Sequence, residues 1–117
     1  MHRRNLLRMA TAALLPGGIS LAALNEHTQF VSPTRYIDSN HPQIKSAVAN
    51  IAPSTLGARA RAVRIHDFVR DQVKFGWTSD FYDQTASEVL KRGVGFCNTK
   101  GTLFAAMLRA ADVPARQ

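Results

Sequence analysis

The stretch that decides the fold is Thr85-Ala-Ser-Glu-Val-Leu-Lys-Arg-Gly-Val-Gly-Phe-Cys-Asn-Thr-Lys-Gly-Thr-Leu-Phe-Ala-Ala-Met-Leu-Arg-Ala-Ala-Asp-Val-Pro-Ala-Arg116. Its first residues, Thr85 to Glu88, have capping-box spacing: the threonine hydroxyl satisfies one orphan helix N–H and the glutamate another. A short helix is therefore predicted, with Ala86, Val89 and Leu90 facing a core, and Gly93 supplies the left-handed conformation that ends it after Arg92. Gly93 to Phe96 reads as a flexible approach to a second, more apolar helix over about Cys97 to Ala111. Leu103, Met107 and Ala111 fall on one line of that helix, with Phe104 and Leu108 beside it. Asp112 ends the helix, and Val113 to Arg116 lead toward a strand.

Cys97 is the only cysteine, so it has no partner for an internal disulfide. It is either a free reactive thiol or half of an intermolecular bridge. At the first position of a helix it faces the positive dipole end and the unpaired N–H groups, which favour the thiolate. Its own backbone N–H is placed to meet a developing oxyanion.

Working back along the chain, Ala58, Ala62, Ile65, Val69 and Val73 lie at steps of four, three, four and four and predict one long helix over Thr55 to Phe75. The opposite face carries Arg64, Asp67, Arg70, Asp71 and Lys74, spaced for ion pairs in solvent. Gly76 to Thr78 break the pattern. Trp77, Phe81 and Tyr82 are read as core, with a wall of a substrate groove as the alternative. Further upstream, Pro42 followed by Ile44, Ala47, Val48 and Ile51 predicts a short packing helix stopped by Pro53. Residues 23 to about 40 read as an irregular surface leader.

The first 22 residues read as an export signal. Met1 to Arg8 is basic, Met9 to Leu24 carries no charge, and Arg3-Arg4-Asn5-Leu6-Leu7-Arg8 is similar to a twin-arginine motif. Ser20-Leu21-Ala22 places small residues where a signal peptidase cuts, after Ala22. Pro16-Gly17-Gly18 halves the apolar run, leaving too little for a stable span of a bilayer core that needs about 20 apolar residues. The expected location is periplasmic or extracellular. The domain boundaries on this reading are 1–22 signal, 23–54 leader and short helix, and 55–117 the N-terminal part of a folded domain.

Composition agrees with a single small domain: 117 residues, 45% apolar and 20% charged. The formal charge is +7, but three of the 15 basic residues, Arg3, Arg4 and Arg8, lie in the signal; twelve then face eight acids, an excess of four. Those twelve are dispersed without a stripe or interleaved aromatics, so no nucleic-acid partner is expected. No histidine pair has metal-ligand spacing, and neither a metal nor a cofactor is expected.

Taken together, Thr85 to Leu90, Gly93 to Cys97, Leu103-Phe104, Leu108 to Ala111 and Val113 to Arg116 resemble the core motif of transglutaminase-like proteins. The helix around His66 to Arg70 and the stretch Lys74 to Trp77 resemble that family's leading helix and strand. The resemblance covers Arg59 to Arg116 and implies an α+β, papain-like core of which this chain carries mainly the helical first part, a predominantly α fragment. It implies a Cys, His, Asp triad acting on protein or peptide amides, with Cys97 the nucleophile. The histidine and aspartate would lie beyond Arg116, so no efficient triad catalysis is expected from these residues alone. His66, His27 and His41 are read as surface histidines and none is carried over as the base.

Two departures from the family pattern stand out. Asp112 replaces the glycine many relatives have before the Val-Pro-Ala-Arg turn, at a cost in left-handed backbone. Asn98, Thr99 and Lys100 replace the family's usual residues after the cysteine, so its substrate preference does not carry over. The alternative to an amidase is a non-catalytic binding module of the cell envelope, with Cys97 a small buried hydrophobe. A complete small helical protein of unrelated function is disfavoured by the strand-like end without a partner.

Overall fold

A computed structural model describes residues 20–117. Its elements in chain order are α1 (Leu21–Val31), α2 (Pro42–Ile51), α3 (Ala58–Gln72), β1 (Lys74–Phe75), α4 (Ala86–Arg92), β2 (Val94–Gly95) and α5 (Cys97–Ala110). The described chain is thus predominantly helical, as expected. Its sheet is two short strands paired in parallel, Lys74 beside Val94 and Phe75 beside Gly95. The export signal read over residues 1–22 lies outside the described residues apart from its last three. Among the described residues no helix is long and apolar enough to cross a membrane.

The centre of the molecule is α5, which contacts all four other helices. Leu103, Ala106 and Met107 are fully buried on it, against Ile44 of α2, Ile65 and Val69 of α3, and Ala86 and Val89 of α4. Each large aliphatic side chain so enclosed contributes about 1.5–3 kcal/mol. The 3.6-residue stripes seen in the sequence are these faces.

Both ends of α4 follow the sequence reading, with one change. The Thr85 hydroxyl accepts the Glu88 N–H at 3.3 Å, and the Glu88 carboxylate takes the threonine O–H at 3.1 Å instead of reaching the Thr85 backbone. The Asp38 carboxylate accepts the Ser87 N–H at 3.0 Å and so caps the same turn from a distant segment. Gly93 closes the helix at φ 68°. At the end of α5, Asp112 adopts φ 61°, while Val113 N–H donates to Leu108 O at 2.9 Å and Asp112 N–H to Arg109 O at 3.0 Å. That pair of bonds is a Schellman closure.

Four segments differ from expectation. Residues 21–31, read as part of an irregular leader, form α1: Ser20 caps it by accepting the Ala23 N–H at 3.0 Å, and the chain leaves the helix at Ser32 before Pro33. No residue of α1 is buried, so it has no deep apolar stripe to betray it. Its far end is tied down by Ala115 N–H to Phe30 O at 2.9 Å and Arg109 Nη1 to Ser32 O at 2.7 Å. The long helix stops at Gln72 rather than Phe75, because Val73 takes extended backbone and its side chain turns into the core. Val94–Gly95 is a paired strand, not a free approach. Finally, Val113 to Arg116 make no strand; they run extended between α1 and α5.

Candidate active site at the start of α5

The approach to Cys97 is tight. Gly95 has no room for a side chain: a Cβ there would lie 2.8 Å from the Thr99 hydroxyl and 3.3 Å from Val89. Phe96 is the N-cap of α5 and is buried, and its N–H donates to the Thr99 Oγ1 at 3.0 Å. The first helical bond runs from Lys100 N–H to Phe96 O at 2.7 Å. Among the described residues the N–H groups of Cys97, Asn98 and Thr99 have no acceptor, as the first turn of a helix leaves them. Cys97 is exposed at the head of that turn. The reading of Cys97 as a buried hydrophobe does not hold.

A groove of about 290 Å³ opens between α3 and α5, lined by Cys97, Lys100, Gly101 and Phe104 from one helix and His66, Val69 and Arg70 from the other. His66, read as a surface histidine, is exposed but belongs to this groove. Its ring meets Phe104 edge-on at 5.8 Å, and its Nδ1 is 3.2 Å from the Asp67 carboxylate. Phe104 is seven residues, about two turns, after Cys97 on α5, so His66 meets that helix beside Phe104 and shares the groove with the thiol. His27 bonds Asp112 at 3.1 Å beyond the far end of α5, and the His41 Nδ1 caps α2 by accepting the Gln43 N–H at 3.1 Å.

The two cations of the groove are already engaged. Lys100 donates to Val73 O at 2.7 Å and so caps the end of α3. Arg70 bonds Asp71 through two nitrogens at 2.8 and 3.0 Å; that bond holds the Asp71 carboxyl below its ordinary range and raises Arg70. No group of three metal-ligating side chains occurs among the described residues.

Beyond Phe96 lies an aromatic surface. Trp77 stacks on Phe96 with centroids 4.5 Å apart, Tyr82 meets the same ring edge-on at 5.2 Å, and Phe75 and Phe81 flank Trp77. Phe75, Trp77, Phe81 and Tyr82 are 54–66% exposed, so the reading of Trp77, Phe81 and Tyr82 as core is overturned. The two-residue β1 ends too soon to carry them inward, and Phe81 sits at φ 50° on the connecting turn. Two further residues escaped the sequence reading. Thr99, whose hydroxyl fixes the turn, is signalled only by its place three after the N-cap. Gln117 lays its carboxamide along α5, accepting from Thr102 Oγ1 at 2.9 Å and donating to Asn98 O at 2.8 Å, and no local pattern announces it.

An exposed thiol with free N–H donors, on a helix packed against the four others, matches the motif quoted at the outset. The family model described as transglutaminase-like superfamily matches residues 44–117. The chain belongs to the transglutaminase-like superfamily. No curated protein and no solved structure matches it. The transglutaminase-like region takes in every element from α2 onward and leaves α1 outside. It begins at Ile44, upstream of the boundary at residue 55 read from the sequence.

Proposed function

We propose that Cys97 is the nucleophile of a cysteine-dependent amidase acting on protein or peptide amides, on the papain-like α+β core that the family resemblance implies. The observation that carries this reading is the exposed sulfur at the first position of α5 beside N–H groups that bond nothing else. The thiolate attacks the amide carbonyl, and the Cys97 N–H meets the oxyanion that forms. The amine departs with a proton, leaving a thioester that water or a second amine resolves. An imidazole must serve as base and acid in these steps, and the family resemblance assigns that role to none of His27, His41 and His66. The basic residues before Met9 and the uncharged run after them support export to the periplasm or the exterior.

A second reading, a binding module of the envelope, draws on the exposed aromatic surface around Trp77. One measurement separates the two. Because Cys97 is the only thiol, iodoacetamide labels it alone. The full chain at pH 7 is alkylated faster when folded than in urea, each rate taken relative to glutathione in the same solvent. A folded rate equal to or below the unfolded one removes the nucleophile reading and leaves the binding module.

A further inference from the structure

The strand β1 presents an open edge. Lys74 N–H donates to Gly93 O and Gly76 N–H to Gly95 O, both at 2.9 Å, so strand alternation turns the N–H and C=O of Phe75, between them, away from β2. Among the described residues β1 pairs with β2 alone, and the backbone groups of Phe75 and Trp77 make no hydrogen bond. The side chains of the same two residues are 66% and 63% exposed and meet edge-on, with centroids 6.2 Å apart. Trp77 lies in turn on the buried Phe96, and β2 runs on into Cys97. Unpaired backbone groups and uncovered aromatic rings thus belong to one short segment.

We propose that this edge binds an extended peptide, which adds to the sheet as a third strand and lays apolar side chains on Phe75 and Trp77. The two features together select the occupant. A lipid surface covers the rings and leaves the N–H and C=O of Phe75 without partners. An added strand pairs with them and sets its alternate side chains against the rings in the same register. Val, Ile or aromatic residues at every second position of the peptide suit such an aromatic face. The added strand lies two strand spacings, about 10 Å, from β2, the strand that leads to the thiol. Binding needs no reactive sulfur, so the inference stands or falls apart from the nucleophile reading.

Two-dimensional ¹⁵N NMR of the full chain tests it, with N-acetyl-Thr-Val-Thr-Val-Thr-amide as probe. The peptide shifts the amides of Phe75, Gly76 and Trp77. One copy of the probe carries N-methyl groups on its valines and another on its threonines. Successive N–H groups of a strand point to opposite sides, so one methylated peptide loses at least about tenfold in affinity while the other keeps that of the parent. Phe75→Thr, an exposed change to another strand-forming residue, weakens the parent peptide by about fivefold. The methylation comparison uses the unaltered chain and decides alone should the variant fail to fold. Two methylated peptides that behave alike, shifts that are absent or map elsewhere, or a folded Phe75→Thr variant that binds unchanged each overturns the proposal. Phosphatidylglycerol vesicles that shift these amides where the peptide does not assign the patch to lipid, and shifts that grow with protein concentration alone assign the edge to a second copy; either result overturns it too.

Discussion

At the residue scale, the position of Cys97 depends on two neighbours that carry no reactive group. Thr99 holds the Phe96 N–H, and Gly95 leaves the space in which that hydroxyl sits. Thr99→Val removes the acceptor from a buried donor and is expected to cost about 1–2 kcal/mol in urea unfolding. Gly95→Ala drives a methyl into the same hydroxyl and into Val89, for a loss of about 1–3 kcal/mol. Asp112 is the opposite case: Asp112→Gly relieves a left-handed aspartate and is expected to raise stability by about 0.5–1 kcal/mol, since the exposed pair it forfeits with His27 is weak. Tyr36 gives a pH readout. Its O–H bond to Asp83 at 2.9 Å raises its ionisation above the ordinary tyrosine range. The stabilisation that follows is whole below the unfolded tyrosine's ionisation and is lost as pH rises through the folded one. Absorbance titration in a Tyr82→Phe background should show this high midpoint, and Asp83→Asn should lower it.

At the element scale, α3 and α5 are clamped where the site lies, by the Lys100 ammonium on the last carbonyls of α3. Lys100→Met is expected to loosen that end by about 1–2 kcal/mol and to raise amide exchange over Arg70 to Val73. The elements legible in the sequence were those with local causes. The threonine cap and Gly93 delimited α4, and the apolar line of Leu103, Met107 and Ala111 delimited α5. The end of α3 was misjudged because Val73 continues the helical stripe in sequence while leaving the helix in space; the strand it leads into, Lys74–Phe75, pairs with residues 20 positions on, beyond the reach of periodicity. Nothing apolar and buried marked α1, whose anchors are backbone bonds to residues more than 75 positions away.

For the whole molecule, the central fact is a small core built around one helix and an aromatic surface left outside it. Trp77 is the only tryptophan, and at 63% exposure its emission should shift little on unfolding and be quenched by iodide in the native chain. A blue-shifted, protected native spectrum would mean that another surface covers it in solution. The candidate site was legible to the extent that chemistry sits in one residue: Cys97 announced itself by being single and at a helix start. Its surroundings were not legible, because His66, Trp77 and Gln117 reach the nucleophile helix from separate segments, and only the packing of α3 and the β1–α4 connection decides which of them comes near.

The Thr99 hydroxyl has one more effect, on hydrogen exchange. It shuts the amide of Phe96 away from solvent, and the Phe96 carbonyl does the same for Lys100, while the amides of Cys97, Asn98 and Thr99 between them have no acceptor among the described residues. The site is thus expected to show, in hydrogen exchange, a gap of fast protons bracketed by slow ones. The protons that leave for water most readily there are the same ones an incoming carbonyl would find unoccupied.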